Sequence, residues 1–150
     1  MRSQRGFALI ELVVVMVLIA ALAGLGAAAL HAGLPGQQLR AAAREVAGEL
    51  RFTRAQAIAT GRAQEFRLDM SDRRWTAADQ RQGQLDAAVG VVATTARSEQ
   101  PVQDVAVVRF FPEGAATGGR IVLSRGQAAW RVDVAWLTGE VTLQRGDGEP

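Results

Sequence analysis

Phe7 to Leu30 reads FALIELVVVMVLIAALAGLGAAAL, and how this stretch folds decides how the rest of the chain is organised. As a helix it would be about 36 Å long at ~1.5 Å per residue, enough to cross a hydrocarbon layer of ~30 Å with some tilt. Val13 to Val15 alone could be a buried strand. The length, and the lack of any charged residue after Glu11, favour a helix whose backbone satisfies its own hydrogen bonds in lipid. Ahead of it stands MRSQRG, where Arg2 and Arg5 form a short cationic segment of the kind that stays on the cytoplasmic side. Behind it Arg40 and Arg44 weaken the charge asymmetry, although Glu45 and Glu49 accompany them.

Small residues at Ala21 to Ala23 and Ala27 to Ala29 could also offer an A-x-A site, so a cleaved export signal is the competing interpretation. Glu11 argues against it. An acid at mid-membrane costs on the order of 2.5 to 3.5 kcal/mol on insertion scales, less near a helix end, and a plain export signal has no use for one.

Arg5-Gly6-Phe7-Ala8-Leu9-Ile10-Glu11-Leu12 followed by an apolar run resembles the signal of type IV pilins and type II secretion pseudopilins. The resemblance implies that a prepilin peptidase cuts between Gly6 and Phe7 on the cytoplasmic side and methylates Phe7, making Glu11 the fifth residue of the mature chain. Ala8 departs from the more common Thr. The physical sense of the pattern is independent of the family. Cutting before Phe7 would place a cationic amine at a helix N-terminus, and a carboxylate four residues on can neutralise its own amine or a neighbour's. Pairing with a neighbour would relieve two poorly solvated charges together and fix one axial register for assembly. Pairing within the chain, or snorkelling to the headgroups, is the plainer alternative. Gly24, Gly26 and Ala27 to Ala29 would allow close helix approach.

After the span, Leu34-Pro35-Gly36 predicts a kink or short break near Pro35. Gln38 to Ala59 then repeats Leu39, Ala43, Val46, Leu50, Ala57 and Ile58 at helical spacing, leaving Arg40, Arg44, Glu45, Arg51 and Arg54 for solvent, with Gly61 as the stop. Beyond Gly61 the period shortens to that of strands. Gln64 to Ala78 predicts a hairpin turning at Ser71 to Arg73, and Gln80 to Gln100 a long loop with a short strand at Val89 to Ala93. Further strands are expected at Val105 to Phe111, Arg120 to Ser124, Ala129 to Trp136 and Glu140 to Leu143, the last pair turning at Thr138-Gly139.

Phe110-Phe111-Pro112-Glu113-Gly114, Thr117-Gly118-Gly119-Arg120-Ile121 and Trp130 to Leu143 with its Leu137-Thr138-Gly139 turn resemble the C-terminal domain of the GspH/FimT pseudopilins. Residue by residue these are first of all turn chemistry. The Gly pair is no phosphate loop, because no GK[ST] follows and Ile121 to Leu123 reads as strand. The expected fold is thus α+β and type IV pilin-like: a long N-terminal helix, transmembrane then amphipathic, packed on an antiparallel β head. The expected division is a leader at 1–6, an assembly helix at 7–30 and a periplasmic domain at 37–150, with its helix at 38–60 and β head at 64–143.

Composition limits the chemistry. There is no cysteine, and the single histidine, His31, stands just after the span as an interfacial polar residue, so thiolate or histidine metal sites and nucleophile triads are not expected. Asp69 and Asp72 flank a turn, and Asp147 and Glu149 sit in the tail. No catalytic residue, cofactor or metal is expected, and the chain is read as a structural subunit, not an enzyme. The pI of about 10.8 reflects an all-Arg set of bases; the net charge is only +2. It divides into +1 for residues 1–35, +2 for 36–100 and −1 for 101–150, and without Arg2 and Arg5 the Arg and acidic side chains are equal in number. That balance does not favour nucleic acid as a partner. Trp75, Trp130 and Trp136 are expected to be core aromatics.

The resemblance therefore implies a minor pseudopilin of the type II secretion system. It would be single-pass in the inner membrane, N-terminus cytoplasmic and head periplasmic, and drawn on assembly into a periplasmic pseudopilus at or near its tip, where it supports export of folded proteins. Its partners would be other minor tip subunits, the major pseudopilin, the prepilin peptidase and, before assembly, inner-membrane lipid. A FimT-like minor pilin of a type IV pilus, serving pilus assembly or DNA uptake, and a signal-peptide-cleaved periplasmic binding module are the alternatives.

Overall fold

In a computed structural model, residues 5–95 and 104–146 are described, with side chains described at 10–22 and from 36 onward. The chain divides into two compact units, residues 1–35 and 36–150.

Helix α1 is assigned over Arg5–Thr60. The helix is unbroken through Leu34-Pro35-Gly36, so of the kink or short break expected near Pro35 the break is not found. Proline removes one donor, a penalty of ~3 kcal/mol, but the helix is long on both sides of it and nucleation, the costly step, is not repeated. The helix ends where Gly61 adopts the left-handed conformation (φ 61°), the stop expected there.

In the unit at 36–150, α1 buries Leu39, Ala43, Val46, Ala47, Leu50 and Ala57 against two antiparallel sheets. The spacing of these residues places them on one face, with Arg44 and Glu45 left exposed. Ile58 departs from expectation: it is 49% exposed.

The first sheet joins β1 (Gln64–Asp69), β2 (Arg74–Thr76), β3 (Gln82–Gln84) and β5 (Val105–Phe110) in the order β3-β2-β1-β5. The second joins β4 (Gly90–Thr95), β6 (Gly119–Arg125), β7 (Ala128–Val134) and β8 (Val141–Gly146) in the order β4-β6-β7-β8. The β1–β2 hairpin pairs Leu68 with Trp75, and its turn is held by Asp69 Oδ1, which accepts from the Ser71 and Asp72 N–H groups, each at 2.9 Å. Phe66, Leu68, Val108 and Phe110 from the first sheet, and Ile121, Leu123 and Val132 from the second, complete the core. Phe66 and Trp75 stack with ring centroids 6.3 Å apart.

Two expectations about this head need correcting. The β3 strand, with the turn before it in which Asp79 (φ 59°) and Gln80 (φ 57°) are left-handed, falls in a stretch expected to be loop. Of the three tryptophans only Trp75 is enclosed in the core: Trp130 is half-buried against it, and Trp136 is 69% exposed. The strand expected at Val89 to Ala93 is β4, Gly90–Thr95; residues 96–103 lie outside the described residues.

Candidate assembly surfaces

The arm carries the first surface. Every large apolar side chain described from Ile10 to Leu22 is exposed, from 49% at Val15 to 68% at Leu22. Such a contiguous apolar surface is far beyond what a monomer in water presents, and it calls for a lipid or protein partner. Glu11 is exposed within it. Gly6 and Phe7 lie in the first turns of α1, and the Phe7 side chain is outside the described residues, as are those of Gly24 to His31. The structure therefore does not report on pairing between Glu11 and an amine at Phe7. Among the described residues no helix is long and apolar enough to cross a membrane.

In the head, the turns singled out by resemblance are brought together at one place, on arginines of α1. Arg54 Nε donates to the Gly114 carbonyl at 3.0 Å, and Arg51 Nη2 donates to the Val141 carbonyl at 2.9 Å. Gly139 (φ 63°) sits so close that a Cβ there would come within 2.2 Å of the Gly114 oxygen and 2.9 Å of Arg54 Nε. Gly139 thus requires glycine for contact and conformation together, and Gly114 (φ 90°) for conformation. Gly118 (φ 77°) packs its α-carbon against Trp136, and the Ala116 N–H donates to the Trp136 carbonyl at 2.9 Å. Helix, Pro-x-Gly turn and Leu-Thr-Gly turn form one braced corner. Two of the arginines expected to face only solvent are thereby structural.

A second clamp was invisible at the sequence level. Glu49 is 7% exposed and receives Arg81 in a bidentate pair, Nε to Oε2 at 2.8 Å and Nη2 to Oε1 at 2.5 Å. The Arg81 guanidinium also lies 4.5 Å from the Phe52 ring centroid, and the Glu49 carboxylate holds it above its ordinary pKa. The left-handed pair Asp79-Gln80 directly precedes Arg81, so the turn that leads into the clamp is a strained one. Two residues of opposite charge 32 positions apart leave no local pattern to read.

Two acids on the outer faces of the sheets are likewise paired. Glu65 joins Arg109 on the neighbouring strand and Arg67 on its own, and Asp133 joins Arg120 on the neighbouring strand and Arg131 on its own. An open hollow of about 420 Å³ beside the second pairing is lined by Thr94, Arg120, Asp133, Glu140 and Thr142. Among the described residues no group of three or more His, Cys, Asp or Glu is placed to hold a metal.

A helix whose second half lies on antiparallel sheets, with an exposed apolar first half, defines a type IV pilin-like subunit. Solved structures share this fold. The minor pseudopilin EpsH from the type 2 secretion system of Vibrio cholerae superposes with a TM-score of 0.54 at 17% identity, covering 75% of this chain and 99% of that one. The type IV minor pilin FimU of Pseudomonas aeruginosa superposes with a TM-score of 0.58 at 13% identity, covering 72% and 89%. At such identities the likeness concerns fold alone.

Sequence similarity goes further. The family described as type II transport protein GspH matches residues 42–139, and the prokaryotic N-terminal methylation motif matches residues 1–27. A Xanthomonas campestris pv. campestris protein named type II secretion system protein H is 49% identical over 140 residues, 93% of this chain and 83% of that protein. The chain belongs to the GspH family of type II transport proteins.

Proposed function

We propose that the chain is built into the periplasmic pseudopilus at or near its tip, joining other minor subunits and the major pseudopilin, and so supports export of folded proteins. Residues 1–6 are a cytoplasmic leader that the prepilin peptidase removes between Gly6 and Phe7, methylating Phe7. Residues 7–30 anchor the subunit in the inner membrane, and residues 37–150 form the periplasmic head. On assembly Glu11 takes the amine of a neighbour's Phe7.

The observation that carries this reading is the exposed apolar arm bearing one acid at Glu11, on the helix whose later turns are the spine of the head. In water the arm is a liability; in lipid, and then in a bundle of like arms, it is buried throughout, and its one charge finds an opposite charge. Membership of the GspH family favours secretion over the pilus alternative, since the likeness to FimU concerns fold alone.

The intact mass of the protein purified from its own membranes tests the processing. A chain beginning at methylated Phe7 is expected; one beginning near Ala23 or Ala29 would point to a released binding module instead. Glu11→Ala should be processed normally yet recovered with the other pseudopilins at a fraction of the unaltered amount. Full recovery of that variant would remove the role assigned to Glu11.

A further inference from the structure

We propose that the Leu-Thr-Gly turn is a preformed docking knob, in which Trp136 and Leu137 insert into an apolar pocket rimmed by basic side chains on the head of a different pilin-like subunit. The proposal rests on the subunit reading above and names the surface that reading leaves open.

Trp136 and Leu137 are 69% and 67% exposed, and outside the arm no large apolar side chain described is more exposed. They stand on a rigid turn. The Gly139 N–H donates to the Ala135 carbonyl at 2.8 Å and the Ala135 N–H to the Glu140 carbonyl at 2.9 Å, while the Trp136 carbonyl is held by Ala116. Beneath the turn, Arg54 and Gly114 brace Gly139. A tryptophan with a fixed backbone loses little further freedom on binding, which is why such residues dominate interface energetics. Folding does not need it there, because Trp75 and the aliphatic side chains already fill the core.

Charge selects the occupant. Glu113 and Glu140 are exposed, adjoin the touching glycines Gly114 and Gly139, and have no ion-pair partner among the described residues. Arg51 and Arg54 at the same corner each donate to a backbone carbonyl, of Val141 and Gly114, so the two acids are the corner's uncommitted charges; they favour a basic rim on the occupant over an anionic membrane or nucleic acid, and they would face like charge in a symmetric contact with a second copy. A basic-rimmed pocket on another protein satisfies both parts.

The test places a photo-crosslinking amino acid at Thr138 of the full-length chain in cells of its own host, with the same probe at Gln82, on the remote β3 edge, as reference. Crosslinks from Thr138 to another pilin-like subunit are expected, falling about tenfold or more with Trp136→Ala and with the Glu113→Arg, Glu140→Arg pair, and kept by Trp136→Phe. Crosslinks to a second copy, to lipid or to no subunit, or a yield indifferent to these variants, would overturn the knob. Co-fractionation separates the two failures. If the unaltered chain travels with the other pilin-like subunits yet Thr138 gives no such crosslink, the knob alone is wrong; if it does not travel with them, the subunit reading is wrong as well.

Discussion

The two halves of α1 are the same secondary structure put to opposite uses. From Ile10 to Leu22 the described large apolar side chains all face outward, whereas from Leu39 to Ala57 one stripe is buried to completion and the rest, apart from half-buried Phe52, is polar or small. In the second half the molecule supplies the cover itself, with two sheets. In the first half no cover comes from within the described chain, so the apolar surface that stabilises a core elsewhere becomes a demand for lipid or for other subunits. Mutations should therefore separate the two halves by what they damage.

The largest separation is expected between Phe66→Ala and Leu18→Ala. Phe66 is fully buried and stacks on Trp75, so its removal should destabilise the head by about 3–5 kcal/mol, a large share of the ~5–15 kcal/mol that holds an ordinary domain together. Leu18 is 57% exposed, and its truncation should leave urea unfolding of the head within about 0.5 kcal/mol of the unaltered chain while weakening association with membranes or subunits. Equal effects on unfolding would mean that the two halves are not the distinct structures described above.

Gly139→Ala comes next and tests the braced corner. The added methyl would meet the Gly114 oxygen at 2.2 Å in a left-handed backbone, so about 2 kcal/mol or more should be lost. The neighbouring Thr138→Ala gives the contrast. Thr138 is exposed and its hydroxyl only accepts from the Glu140 N–H at 3.3 Å, so a change of a few tenths of a kcal/mol is expected in the same melt.

How much of this was legible follows from the range of each interaction. Glu11 after Gly6-Phe7, the apolar run and the helical stripe from Leu39 to Ala57 are local patterns, and they were readable because each depends on residues a few positions apart. The strands from β5 to β8 were readable for the same reason, from alternation and turn residues. Ile58 and Trp136 misled, because a side chain's type says that it is apolar and not whether something arrives to cover it; at the braced corner, nothing does. The Pro35 break misled because a local rule was outweighed by helix on both sides. The Glu49–Arg81 clamp and the contact between Gly114 and Gly139 join distant segments, and no spacing rule reaches them. The motif at Arg5 to Leu12 was thus legible, and the turns of the corner were legible singly but not their contact.

The Glu49 clamp predicts a smaller loss than Gly139→Ala. Glu49→Gln keeps the shape of the buried side chain but leaves Arg81 a neutral acceptor, and Arg81 is itself half exposed, so water takes up part of what the carboxylate gave. The strained Asp79-Gln80 turn should loosen before the core does. Faster amide exchange in Ala77 to Gln84, with protection in α1 unchanged, is the expected outcome; uniform loss of protection would mean that the clamp supports the whole head instead.

The smallest effect is expected at Glu65, where the contribution depends on pH. The Arg109 hydrogen bond, helped by Arg67 and opposed by partial burial, holds its carboxyl below the ordinary value of 4.5. A lowered folded pKa means that the pair stabilises the head fully above about pH 4.5 and that the stabilisation disappears as pH falls through the folded value, because the native state then has to take up the proton it had resisted. Arg109 and Arg67 are each more than half exposed, so the contribution should be ~1 kcal/mol or less. Glu65→Gln should therefore be slightly less stable at neutral pH and should converge with the unaltered chain at the acid end of a series of urea melts. A gap that stays constant through that range would trace to packing of β1 against β5 and not to the charge on Glu65.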